Sequence, residues 1–265
     1  MQNLIKRSIS GFIYVIVFLS AVLYSVESFV LLMAVFGFLC IYEFGKLIQL
    51  KNAIPYIVFL GIIAAIYFKI TNDKVITGLL ILALTGSVHM IAYIYAKGKN
   101  DPVNFLQKLD ISVRYLVFSL SFIVFIPFIN DTYQPYLLVS ILILMWVNDS
   151  FAYLTGKNFG KRKLFESISP KKTIEGVIGG VFFSIITAVL IAVYSETLTI
   201  FNWIMLAIII SLTGTLGDLV ESKFKRQAKI KDSGIIMPGH GGLLDRLDSL
   251  LFAAPFVYLY IQFIS

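Results

Sequence analysis

Apolar residues dominate this chain in long unbroken runs, without the strict alternation of a half-buried strand or the narrow stripe of a surface helix. Nine runs stand out, at roughly 8–24, 28–49, 54–70, 75–96, 112–129, 135–156, 175–194, 200–218 and 244–264. Each is close to the ~20 residues that an α-helix needs to cross hydrocarbon. Lipid offers the backbone no hydrogen-bond partner, so such runs are expected to be helices. The pattern predicts an all-α polytopic integral membrane protein with about nine transmembrane helices, in one integral domain over residues 1–265. No internal repeat, low-complexity tract or Pro/Ser-rich linker interrupts it. The first run follows Lys6 and Arg7 as a signal peptide would. It is long for a signal core, and no clear small-x-small cleavage site precedes Glu27, so it is expected to stay as an anchor.

Composition removes the alternatives. Of 265 residues, 58% are hydrophobic and 14% charged, and the mean hydropathy is +0.89. A soluble domain carries about 25% charged residues, and disorder needs low hydrophobicity with high charge. Neither fits. The charges are unbalanced, with 22 Lys and Arg against 15 Asp and Glu. Such basicity can mean a nucleic-acid partner, but in a membrane chain it commonly marks the cytoplasmic side and its anionic lipid; no nucleic acid is expected. An N-terminus in the cytoplasm leaves only Lys69 and Lys74 of the 22 basic residues outside. Chemistry is therefore expected at the cytoplasmic face of the inner membrane, where two stretches, about 157–174 and 219–243, are long enough to be functional. Cys40, alone in an apolar run, indicates core packing and no disulfide.

Ionisable residues kept at membrane depth are functional candidates by default, and four segments carry them. Asn148-Asp149 lies in the sixth run, ahead of Tyr153, Gly156 and Gly160; an acid packed against a lysine is the ordinary alternative. Ser169-Pro170-Lys171-Lys172-Thr173-Ile174-Glu175-Gly176 resembles a phosphate-holding edge, or equally a positive flank with a Thr cap and a first-turn Glu. Gly217-Asp218 closes the eighth run before Glu221-Ser222-Lys223-Phe224-Lys225-Arg226. An acid there faces the wrong end of the helix dipole, which a bound cation would remedy. A basic stretch there resting on anionic lipid is the ordinary alternative for Lys223, Lys225 and Lys229 taken singly. Last come Lys231-Asp232-Ser233-Gly234, Pro238-Gly239-His240-Gly241-Gly242 and Asp245-Arg246-Leu247-Asp248. Asp245 and Asp248 share a face at a helix start, and the glycines permit close approach of backbone to a phosphate.

If Asp218, Asp245 and Asp248 converge within about 5 Å, each pair repels by roughly 3 kcal/mol at an effective dielectric of about 20. A divalent cation would relieve this, and all-oxygen ligands suit Mg²⁺. Acids for a metal, Lys and Arg for phosphate, and glycines for close approach describe phosphoryl or nucleotidyl transfer.

The run from Ser222 to Asp248, with Lys225-Arg226, Lys231-Asp232, Pro238-Gly239-His240-Gly241-Gly242 and Asp245-Arg246-x-Asp248, resembles the signature of the phosphatidate cytidylyltransferase (CDP-diglyceride synthase) family. The blocks 148–156 and 169–176 and the pair Gly217-Asp218 are similar to that family too, and Tyr42-Glu43 is a weak likeness. The resemblance implies that CTP and phosphatidic acid give CDP-diacylglycerol and diphosphate with Mg²⁺ required, through active-site segments at about 148–176 and 217–248. It implies roles as well. Asp245 and Asp218, with Asp248 or Asp149, would hold metal; Lys225, Arg226, Lys231 and Arg246 would neutralise phosphates, Lys171 and Lys172 secondarily. Ser222, Gly241 and Gly242 would line the phosphate site, and His240 would shape the turn and contact phosphate. Membrane lipids are implied as partners, and a homodimer is left open. Rival readings are a related CTP-using polyprenol or phytol kinase, an archaeal ether-lipid cytidylyltransferase, a transporter with an Asp149, Glu43 and His89 relay, and a non-catalytic lipid-binding scaffold.

Overall fold

The computed structural model describes residues 2–96, 104–129, 132–195, 197–239 and 241–264. Helices make up almost all of it: α1 (Gln2–Tyr24), α2 (Val26–Leu47), α3 (Ile54–Tyr67), α4 (Asp73–Tyr95) and α5 (Phe105–Ile111). A π-helical turn (Ser112–Val117) leads from α5 directly into α6 (Phe118–Phe125). Then follow strands β1 (Phe128–Ile129) and β2 (Thr132–Tyr133), α7 (Pro135–Phe159), strands β3 (Lys163–Phe165) and β4 (Ser169–Thr173), α8 (Ile174–Tyr194), α9 (Ile200–Gln227) and α10 (Leu244–Ile264). Among the described residues, six helices are long and apolar enough to cross a membrane: α2, α4, α7, α8, α9 and α10. The apolar parts of α1 and α3, Ile9–Tyr24 and Ile54–Tyr67, are shorter. The run expected at 112–129 is part of a helix that begins at Phe105, where Asn104 accepts from the Gln107 N–H at 2.9 Å. It ends before Pro127, beyond which Phe128 pairs with Tyr133. These helices make a multi-pass membrane protein.

Two compact units divide the chain: Met1–Phe125 with Lys223–Asp248, and Ile126–Ser222 with Ser249–Ser265. In the first, aromatic side chains join the helices. Tyr14 of α1 stacks on Phe36 of α2 with centroids 5.9 Å apart, and Phe44 meets Phe224 edge-on at 5.2 Å. Every residue of α6 is buried. Helices α2, α3 and α9 end alike: the N–H groups of Leu50, Ile70 and Ile230 reach back five residues to the carbonyls of Gly45, Ala65 and Lys225. Gln49, Lys69 and Lys229 adopt the positive φ that this ending demands, a place more often given to glycine.

The second unit is dominated by antiparallel α7 and α8. Along α8, Gly176, Gly180, Ser184 and Ala188 recur every fourth residue and are buried, while Ile178, Phe182, Ile186 and Leu190 are exposed. In water this distribution would be inverted. In lipid, large side chains lose nothing by facing acyl tails, and small ones let helices approach closely. Phe151 and Phe183 stack with centroids 3.8 Å apart, and Ser184 Oγ donates to the Leu144 carbonyl at 3.2 Å. A Cβ added at Gly180 would stand 2.6 Å from Asn148 Oδ1 and 2.9 Å from the Asn148 carbonyl. Gly180→Ala is therefore expected to force α7 and α8 apart and to cost about 1–3 kcal/mol, seen as a lowered melting temperature in detergent; an unchanged melting curve would contradict the close packing.

Candidate active site

Two polar clusters emerge, one in each unit. In the Ile126–Ser222 unit, β3 and β4 form a hairpin between α7 and α8, with Lys163 opposite Thr173 and Phe165 opposite Ser169. Thr173 caps α8, its Oγ accepting from the Gly176 N–H at 3.1 Å. Glu175 in the first turn accepts from the backbone N–H groups of Lys161 and Arg162 at 3.0 and 3.1 Å. Successive strand residues point to opposite sides, so neighbouring lysines of β4 diverge. Lys171 is exposed. Lys172 turns inward and its Nζ pairs with Asp218 Oδ2 at 2.6 Å, with the Thr215 carbonyl at 3.5 Å. One turn along α9, Ser222 donates to Asp218 Oδ1 at 3.0 Å. Helix α9 runs on to Gln227, so Asp218 does not lie at a helix C-terminus as the sequence suggested; it is paired all the same, with Lys172. The same pairing gives the segment Ser169–Thr173 its hold on α9. Asp149, exposed, accepts from the side-chain amide of its buried neighbour Asn148 at 3.1 Å.

In the other unit two carboxylates organise the stretch from Ile230 to Asp245. Asp245 Oδ1 accepts from Lys225 Nζ at 2.6 Å, and the side chains are 5% and 11% exposed. Its Oδ2 accepts from the N–H groups of Ser233 and Gly242, both at 2.8 Å, and from Ser233 Oγ at 2.9 Å. Glu43 of α2, only 1% exposed, accepts from Leu243 N–H at 3.2 Å and Leu244 N–H at 2.8 Å. An acid from a distant helix so caps the start of α10, where N–H groups lack partners and the dipole favours negative charge. Ser233 Oγ also lies 3.3 Å from Glu43 Oε2; with a single proton it serves Asp245 more closely. Glycine is required here by space: a Cβ on Gly234 would stand 2.1 Å from Glu43 Oε1, and one on Gly242 2.2 Å from Ser233 Oγ. Gly241, at φ +93°, pairs its backbone with Met237.

Lys223 and Lys225 are not laid on lipid. Both are buried. Lys223 Nζ donates to the terminal carbonyls of α4, Tyr93 most closely and Ala96 at 3.3 Å, and lies 4.2 Å from the Tyr93 ring centroid. Cations are stabilised at that end of a helix. Of the remaining expected residues, Lys231, Arg226 and Arg246 are exposed, Asp248 is half-buried, and His240 lies outside the described residues. Among the described residues, no three His, Cys, Asp or Glu side chains form a group able to hold a metal. Mg²⁺, which keeps waters and takes one or two carboxylates with substrate phosphates, does not require such a group. The donor chemistry fits it at Asp218, which is 35% exposed. The Asp245 carboxylate is instead committed to a lysine and the loop. Sequence reasoning missed the capping role of Glu43 and the bridge made by Ser233. One signal was present for the first: a Glu in an otherwise apolar run.

Helices long and apolar enough to cross a membrane, with the Lys225–Asp245 pair buried beside a glycine-rich turn, define the class as multi-pass membrane proteins with a polar site. The chain belongs to the cytidylyltransferase family, whose model matches residues 5–264, and it is thus a nucleotidyltransferase. Phosphatidate cytidylyltransferase of Bacillus subtilis (strain 168) is 30% identical over 271 residues, covering 100% of both chains. The enzyme of that name from Staphylococcus aureus (strain COL) is 53% identical over 122 residues, 45% of this chain and 46% of its own. That of Staphylococcus haemolyticus (strain JCSC1435) is 48% identical over 121 residues, again 45% and 46% of the two chains.

Removing the Glu43 carboxylate strands two buried N–H groups. Glu43→Ala is expected to cost about 2–5 kcal/mol and to speed hydrogen exchange across 230–244 ahead of the rest of the unit. Exchange there at the parent rate would refute the capping role.

Proposed function

We propose that this protein transfers the cytidylyl group of CTP to phosphatidic acid, releasing diphosphate and leaving CDP-diacylglycerol in the membrane. The observation that carries this reading is the match along both whole chains to a protein named phosphatidate cytidylyltransferase. In the step itself, a phosphate oxygen of phosphatidate attacks the α-phosphorus of CTP. A new P–O bond forms there while the bond from that phosphorus to the diphosphate breaks. Both reactants are anions, so the work is positioning and charge neutralisation, and no protein nucleophile is needed.

The residues supply those needs. Lys225, Arg226, Lys231 and Arg246 are assigned to the phosphates of CTP and lipid, with Lys172 ahead of Lys171 because its ammonium already faces an acid. Asp218 would hold Mg²⁺, with Asp149 as the further acid of its unit, while Asp245, held by Lys225 and the loop, orders the segment before α10. When bound, Mg²⁺ neutralises triphosphate charge. Ser222 orients Asp218, Gly241 and Gly242 set the backbone beside the phosphates, and His240 contacts one of them. The chain is assigned nine crossings with its N-terminus in the cytoplasm, since 20 of its 22 Lys and Arg then lie inside. Acyl chains enter sideways, so the lipid stays in the bilayer.

Purified Asp218→Ala and Asp245→Ala, assayed for CTP-dependent CDP-lipid formation across a Mg²⁺ titration, are each expected to lose about 10²-fold or more in turnover. Near-normal turnover by Asp218→Ala would remove the metal assignment, and by Asp245→Ala the need for an ordered segment before α10. For orientation, a Glu166→Cys probe in the β3–β4 hairpin, on a Cys40→Ala background, is expected to react with an impermeant maleimide in inside-out vesicles. Labelling of intact cells instead would reverse the topology.

A further inference from the structure

The residue before α10 is Leu243, whose side chain offers no oxygen to the first N–H groups of the helix. A serine or aspartate there would supply one locally. Instead the N–H groups of Leu243 and Leu244 are bound by Glu43, an acid 1% exposed on α2. Burying a carboxylate is far more costly than a local cap, so capping alone does not account for it. What Glu43 adds is a fixed relation between the start of α10 and α2, both in the same unit. Its carboxylate has one place to stand. A Cβ on Gly234 would lie 2.1 Å from Oε1, and one on Gly242 2.5 Å from Oε2, so backbone presses on both oxygens.

The consequence falls on Arg246. Its N–H closes the first turn on the Leu243 carbonyl at 3.0 Å, and its side chain is exposed. The direction of that side chain therefore follows from the two residues that Glu43 holds. Other ties of the segment lie short of this turn. Ser10 of α1 donates to the Pro238 carbonyl at 2.9 Å, and the Asp245 carboxylate closes on Ser233 and Gly242.

We infer that Glu43 is a positioning residue of the transfer reaction, aiming Arg246 at the phosphates through the backbone of Leu243 and Leu244. The inference rests on the proposed reaction and on Arg246 serving its phosphates.

Glu43→Gln keeps the shape of the side chain but leaves an acceptor for only one of the two N–H groups. With CTP and phosphatidate, the purified full-length variant is expected to lose about 10- to 10²-fold in kcat/KM, the size of effect that a displacement of about 1 Å produces. A double-variant cycle separates positioning from mere loss of folded protein. Added to Arg246→Ala, Glu43→Gln is expected to cost less than about twofold more, because its effect passes through the missing guanidinium. Losses that multiply instead would mark a purely structural acid and overturn the inference, as would parental turnover in Glu43→Gln or in Arg246→Ala. Gly234→Ala, which crowds the same carboxylate without removing its charge, is expected to show the same dependence on Arg246 and serves in place of a Glu43→Gln that fails to fold. A parent that forms no CDP-lipid would sink the proposed function and this role with it. An active parent with multiplying losses would leave that function standing and remove only the role of Glu43.

Discussion

Two carboxylates buried in one unit, Glu43 and Asp245, hold the segment between α9 and α10 in place. A carboxylate taken from water keeps its charge only where donors replace the lost hydration. Here the donors are backbone N–H groups of Ser233, Gly242, Leu243 and Leu244, the Ser233 hydroxyl and the Lys225 ammonium. The requirement runs both ways. The acids need the loop to be buried, and the loop, whose Ile230, Ile235 and Ile236 stay exposed, needs the acids to be ordered. Glycine at 234 and 242 follows from the same constraint, since any side chain there would occupy space already filled by the Glu43 carboxylate or the Ser233 hydroxyl.

In the other unit, geometry follows from the approach of two helices. Small residues every fourth position along α8 let α7 come close, and the β3–β4 hairpin that joins them is thereby fixed in direction. Alternation along β4 then selects between adjacent lysines, sending Lys172 to Asp218 and leaving Lys171 outside. Both clusters share a chemical pattern, a lysine ammonium 2.6 Å from an aspartate with a serine hydroxyl on the same carboxylate. In each, the acid and the hydroxyl together hold the ammonium in one orientation.

Much of the site was legible because charged residues are costly in lipid and few survive without purpose. Asp218, Asp245, Lys172 and Lys225 all stand out from apolar surroundings in the sequence, and all prove to be paired. What misled was proximity along the chain. Lys223 and Lys225 look like neighbours in one basic surface stretch, yet one ends α4 and the other pairs with Asp245. The glycines at 234 and 242 have a further reason that the chain does not display, since they make room for the Glu43 and Ser233 side chains. Glu43 was visible only as an acid in an apolar run. Nothing local could say that its partners lie 200 and 201 residues away.

The sequence by itself determined the solvent and the helices, because hydropathy and run length are read directly along the chain, and lipid admits few backbone conformations other than helices. It also determined which residue types were available for chemistry. Only the tertiary structure decided the pairings: which lysine meets which aspartate, and which acid caps α10. Those outcomes depend on distances of a few ångströms between segments far apart in the chain, and such distances are set by packing, which no local pattern encodes.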